Sequence, residues 1–164
     1  MPSQPRKLRF PRWANAKAKG ELAEAIFVVK AQALGLAISK PYGDNKGFDF
    51  HIESRLGTFR VQVKSAWKVM AAQRYWLLGG RRSPGKRKAY DVLVAYVAPL
   101  DVWYVIPEWD IRSSNIWLYP TVANSRGKFE RYREGWRTLT GDVHDDTRRI
   151  GLDIHAQAEP GKPE

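Results

Sequence analysis

Phe48-Asp-Phe-His-Ile-Glu53, Ser54-Arg-Leu-Gly-Thr58 and Phe59-Arg-Val-Gln-Val-Lys-Ser65 lie end to end, and their side chains alternate. Phe48, Phe50 and Ile52 fall on one side of the first segment, and Asp49, His51 and Glu53 on the other. In the third segment Phe59, Val61 and Val63 oppose Arg60, Gln62 and Lys64. A period of two with a glycine-bearing turn between predicts a β-hairpin with apolar inner and polar outer faces. Folding the strands together brings the two polar rows onto one patch, with Asp49 and Lys64 expected as cross-strand neighbours. A carboxylate, an amide carbonyl and an ammonium would then converge beside Pro41-Tyr-Gly-Asp-Asn-Lys-Gly47, a segment of turn-forming residues.

On the N-terminal side, Leu22, Ile26, Val29 and Ala33 recur at helical steps, predicting a helix over 19–36 that Gly35 ends. Residues 37–40 read as a short strand. On the C-terminal side, 74–78 reads as a strand and 79–88 as a basic loop without a hydrophobic residue. Residues 91–97 and 102–106, separated by Ala98-Pro-Leu-Asp101, predict a second hairpin. A short strand is expected over 116–119 and a late helix over 129–139. This order predicts one mixed α/β domain with a central sheet over 19–141. A basic, proline-bearing arm over 1–18 precedes it and a polar tail over 142–164 follows.

Lys and Arg number 28 against 17 Asp and Glu, a surplus of 11 positive charges that concentrates polyanions around the chain. Nucleic acid is the expected partner. There is no cysteine, and His51, His144 and His155 form no metal-binding pair, which argues against zinc. No apolar stretch approaches the length of a membrane span, and the cytoplasm is the expected location. Basic residues gather in the arm, in the 79–88 loop (Arg81, Arg82, Lys86, Arg87 and Lys88) and over 126–137. The loop and Arg12 are the candidate contacts to nucleic-acid phosphates. Trp13 is the one aromatic expected to touch nucleic acid, whereas Trp103, Tyr104 and Trp136 fall in core patterns.

Phosphodiester hydrolysis needs what the hairpin gathers. Hard oxygen ligands hold Mg²⁺, which activates water and neutralises phosphate charge. An adjacent lysine orients the water or stabilises the developing negative charge. Asp49 would be the shared ligand and Gln62 would give its carbonyl oxygen. Alternation alone favours a plainer meaning, since Asp opposite Lys on a strand is usually a solvated ion pair worth ~0–1 kcal/mol.

Gly47-Phe-Asp49 followed by Val61-Gln-Val-Lys-Ser65 resembles the PD-(D/E)xK nuclease superfamily, in the branch where Gln replaces an acidic residue. Lys19-Gly-Glu-Leu-Ala-Glu24, Pro41-Tyr-Gly-Asp44, Val61-Gln-Val-Lys64, Tyr104-Val-Ile-Pro107 and Tyr132-Arg-Glu-Gly-Trp136 are together similar to the group I intron-associated endonucleases of that superfamily. The resemblance implies a restriction-endonuclease-like mixed central sheet flanked by helices. It also implies a Mg²⁺-dependent, homing-endonuclease-like cut in DNA, with Glu24 as a further site carboxylate. Glu21, one turn away, is the fallback for that role, and Asp44 is a secondary candidate to support a metal water. Phe48 stands where the pattern has proline, and Gln62 removes one negative charge from the metal site. A Holliday junction resolvase-like nuclease, or an inactive nucleic-acid-binding protein on a nuclease scaffold, would look alike in sequence. Cutting both strands requires two sites, so a homodimer or higher symmetric oligomer is expected.

Overall fold

The computed structural model describes residues 15–43, 47–80, 89–122 and 127–141. The hairpin forms as β2 (Phe50–Ser54) and β3 (Gly57–Ala66), paired antiparallel so that Phe50 faces Val61 and His51 faces Arg60. β1 (Ala37–Ser39) adds antiparallel to the outer edge of β2. The second hairpin also forms, as β5 (Val92–Val97) and β6 (Val102–Pro107). β5 lies parallel to β3, giving a five-stranded mixed sheet in the order β1-β2-β3-β5-β6. β4 (Tyr75–Leu78) and β7 (Asn115–Leu118) pair in a separate two-stranded ribbon.

All six residues of β5 are buried, as a strand covered on both faces requires. Val92, Val94 and Tyr96 pack with α1 (Ala16–Ala33), whereas Leu93, Ala95 and Val97 pack with the β4–β7 ribbon. The hairpin's polar row is therefore open to solvent only in part: Glu53 is exposed, but the end bearing Gln62 and Lys64 is covered. Gln62 and Lys64 stand in register with Leu93 and Ala95 on the ribbon-covered face, and both are only partly exposed.

α1 starts and stops three residues before the expected bounds. Asn15 caps it, its side chain accepting from Ala18 N–H at 2.9 Å. Gly35, at φ +73°, takes the left-handed turn after the last helical residues. The buried stripe is not the expected one: Val29 is 55% exposed, and Ala23, Phe27 and Ala31 face the sheet instead. Two alanines bring the helix close enough for Phe27 to meet Phe50, Trp103 and Trp136 at ring separations of 5.5, 6.3 and 6.4 Å.

The late helix over 129–139 does not form. A 3₁₀ turn (Glu130–Tyr132), an extended Arg133 that bridges Tyr104 of β6, and Glu134 at φ +48° come first. Only α2 (Arg137–Thr140) is helical. Glu134 accounts for the break, since its Oε1 accepts from Trp103 N–H and its Oε2 from the Trp136 indole, both at 2.8 Å. Trp136 is thereby set into the aromatic core with no exposed surface.

Phe27→Ala removes the ring on which this cluster converges. It is expected to lower stability by about 3–5 kcal/mol, read as a drop in the urea midpoint with little change in slope.

Candidate active site

β2 begins at Phe50, so the N–H of Val63 points past the start of that strand, where no strand backbone receives it. Asp49 fills that place twice over. Its backbone N–H donates to Val61 carbonyl at 2.9 Å, and its Oδ2 accepts from Val63 N–H at 2.7 Å. Gln62 Nε2 donates to the same Oδ2 at 2.6 Å. Two residues before Asp49, Gly47 runs so close to Ala89 that a Cβ there would collide with that side chain. Extending the β2–β3 register sets Asp49 opposite Gln62, with Lys64 one step further along the same face, a diagonal cross-strand neighbour of Asp49.

Burial pushes the Asp49 carboxyl above the usual carboxylate range. The Val63 N–H pulls it back, the Glu24 charge adds to the rise, and Lys64 and Lys40 oppose it. Glu24, Lys64 and Lys40 are thus all within electrostatic reach of Asp49. Glu24 comes from α1, with a side chain 25% exposed, and Lys40 Nζ donates to its Oε2 at 2.9 Å. Lys40 had no role in the sequence reading. Nothing in the pattern places the residue after β1 beside a carboxylate of α1, and that contact arises only on packing. Glu21, the fallback, is exposed and pairs with Lys17 at 3.8 Å. His51 shares the polar face, but its ring packs edge-on against Phe48 at 4.7 Å.

The residues gathered are two carboxylates, one amide and two ammonium groups. No cluster of three or more His, Cys, Asp or Glu that could hold a metal occurs among the described residues. Glu24, Asp49 and the amide oxygen of Gln62 nevertheless fit a hard dication that keeps several of its own waters. Among the described residues Asp49 Oδ1 accepts no hydrogen bond, while Oδ2 accepts from its two donors. Gln62 presents nitrogen toward Asp49, so its amide must turn to offer Oε1 to an ion. Arg12, Trp13, Asp44, Arg81, Arg82, Lys86, Arg87 and Lys88 lie outside the described residues, as do the basic arm and the polar tail. In the third basic group, Lys128 and Arg131 pair with buried Asp110 at 3.5 and 2.7 Å, and Arg133 donates to Pro120 carbonyl at 3.0 Å. That group is largely committed to holding the chain's own structure.

Residues 14–139 match the PD-(D/E)XK endonuclease family. Among solved structures, the bacterial homing endonuclease I-Ssp6803I superimposes with a TM-score of 0.67 at 31% identity, over 78% of this chain and 93% of that one. No curated protein matches the chain. No helix among the described residues is long and apolar enough to cross a membrane.

The raised Asp49 carboxyl fixes the sign of a stability effect. A carboxyl that binds its proton more tightly folded than unfolded stabilises the fold at low pH, and that contribution is lost as pH rises through the raised value. At pH 7 without metal the ionised form is a net cost. Asp49→Asn is therefore expected to raise the unfolding midpoint in chelator at pH 7, and the gap to the unsubstituted chain should close toward pH 4. A midpoint that falls at pH 7 would contradict this account of the carboxylate.

Proposed function

Because the chain belongs to the PD-(D/E)XK endonuclease family, we propose that it is a cytoplasmic, Mg²⁺-dependent DNA endonuclease, homing-endonuclease-like and acting as a homodimer or higher symmetric oligomer. The observation that carries this reading is the hydrogen-bonded pair Asp49–Gln62, with Lys64 on the same face and the Glu24 carboxylate within electrostatic reach. Asp49, Glu24 and the turned amide of Gln62 would hold the ion. When bound, a divalent cation supplies Lewis acidity and positive charge at the phosphate. Lys64 orients the attacking water and stabilises negative charge growing on the phosphate oxygens. Lys40 holds Glu24 in place. The surplus of 11 positive charges, with Arg12 and the 81–88 cations foremost, neutralises backbone phosphates and positions the duplex.

Supercoiled plasmid is expected to be cut with Mg²⁺ and to remain intact in chelator. Asp49→Ala and Lys64→Ala should each slow cutting by about 10²-fold or more while still binding DNA in chelator. Binding without cutting under any divalent ion would make the chain a DNA-binding protein on a nuclease scaffold. Cutting confined to four-way junctions would make it a structure-selective nuclease. Gln62→Glu restores a negative charge to the site and should lower the Mg²⁺ concentration needed for half-maximal cutting.

A further inference from the structure

Lys40 follows the last residue of β1, and its ammonium is held from two sides. Nζ donates to Oε2 of Glu24, on α1, at 2.9 Å. It also stands over the ring of Phe50, 5.6 Å from the centre, a placement that favours a cation. Phe50 is buried and packs its ring against Phe27, so the core fixes this side of the seat. Asp49, beside Phe50 in the chain, feels the same charge, which opposes the rise of its carboxyl. One ammonium thus serves both carboxylates that would hold a metal ion.

The charges of the site decide what that ammonium does. Glu24 and Asp49 bring two carboxylates, Lys64 and Lys40 two ammonium groups, and the formal charges cancel. Gln62, standing where the related pattern has an acidic residue, adds none. A site without net negative charge draws a dication weakly, and an ammonium bonded to Glu24 repels an ion at the same carboxylate. Lys64 lies within β3, in register with Ala95 of buried β5. Lys40 is the more mobile of the two, because 67% of its side chain is exposed and an ion pair that open is weak. We propose that Lys40 is a stand-in cation, which occupies Glu24 in the metal-free protein and yields that carboxylate when a divalent ion binds.

The inference rests on the metal-dependent reading of the site given above. Lys40 is then a positioning residue: it acts through Glu24 and sets how much divalent ion the site needs. If Lys40 served only to aim Glu24, its removal would loosen a ligand and weaken the ion. If it stands in for the ion, its removal takes away a competitor and tightens the ion. The two roles differ in sign. Lys40→Met separates them, since it keeps an unbranched apolar stem and deletes the charge.

The test is titration of Mn²⁺ into the full chain without DNA, at low ionic strength, followed by the electron paramagnetic resonance signal of the free ion. The unsubstituted chain is expected to bind Mn²⁺ at a site that Asp49→Ala removes. Lys40→Met should bind it at least about threefold more tightly. Lys40→Gln, a second neutral variant, should show the same gain, and Lys40→Arg, which keeps the charge, should not. The gain should shrink as NaCl is raised, because salt screens exposed charges. At one fixed Mn²⁺ concentration the ion should also raise the unfolding midpoint of Lys40→Met more than that of the unsubstituted chain. Binding that depends on Asp49 but is unchanged or weakened in both neutral variants would overturn the proposal and leave the metal site standing. No binding, or binding that Asp49→Ala does not reduce, would overturn the metal site itself and this proposal with it.

Discussion

One carboxylate oxygen, Asp49 Oδ2, receives the Val63 N–H and the Gln62 amide together, and much of the site's arrangement follows from that. β2 begins only after Asp49, so the side chain replaces the backbone acceptor that a longer strand would have supplied. The same substitution fixes the carboxylate at a strand end, partly out of water and within reach of Glu24. Burial raises the Asp49 carboxyl most, the Glu24 charge adds to the rise, and the Val63 N–H, Lys64 and Lys40 oppose it. The metal-free fold therefore holds a carboxylate that burial disfavours in its ionised form, which a bound dication would favour. This is the usual sign of a site arranged for a ligand rather than for stability.

The rest of the fold holds that strand end still. β5 is buried on both faces between α1 and the β4–β7 ribbon, and its six-residue parallel register with β3 leaves no freedom for Gln62 and Lys64 to slide. On the helix side, Phe27, Trp103 and Trp136 interlock, and Glu134 ties the returning chain into that cluster at the cost of a helix. On the ribbon side the packing limits solvent around the polar row, which is why Asp49 is shifted upward while remaining reachable.

Both hairpins were legible in the sequence because strand alternation and turn residues are local signals, and the strands over 74–78 and 116–119 came with them. Gly35 was legible for the same reason. The buried stripe of α1 was not: Leu22, Ile26 and Val29 are the larger apolar groups, but the sheet selects Ala23, Phe27 and Ala31 because close approach favours small side chains around one ring. The break at Glu134 was hidden, since it depends on two hydrogen bonds to tryptophans brought near only by folding. The hairpin motif placed Asp49, Gln62 and Lys64 on one face correctly. The exact facing of Asp49 with Gln62 and the nearness of Lys40 depend on register and on contacts between elements far apart in sequence.

The most direct measurement is anomalous scattering from crystals of the full chain soaked in Mn²⁺, a close stand-in for Mg²⁺. The account predicts a peak about 2.0–2.4 Å from Asp49 Oδ1, within bonding distance of a Glu24 oxygen, and with the Gln62 amide turned to present Oε1. A peak bound elsewhere, or a fully occupied ion that leaves Asp49 and Glu24 untouched, would contradict it.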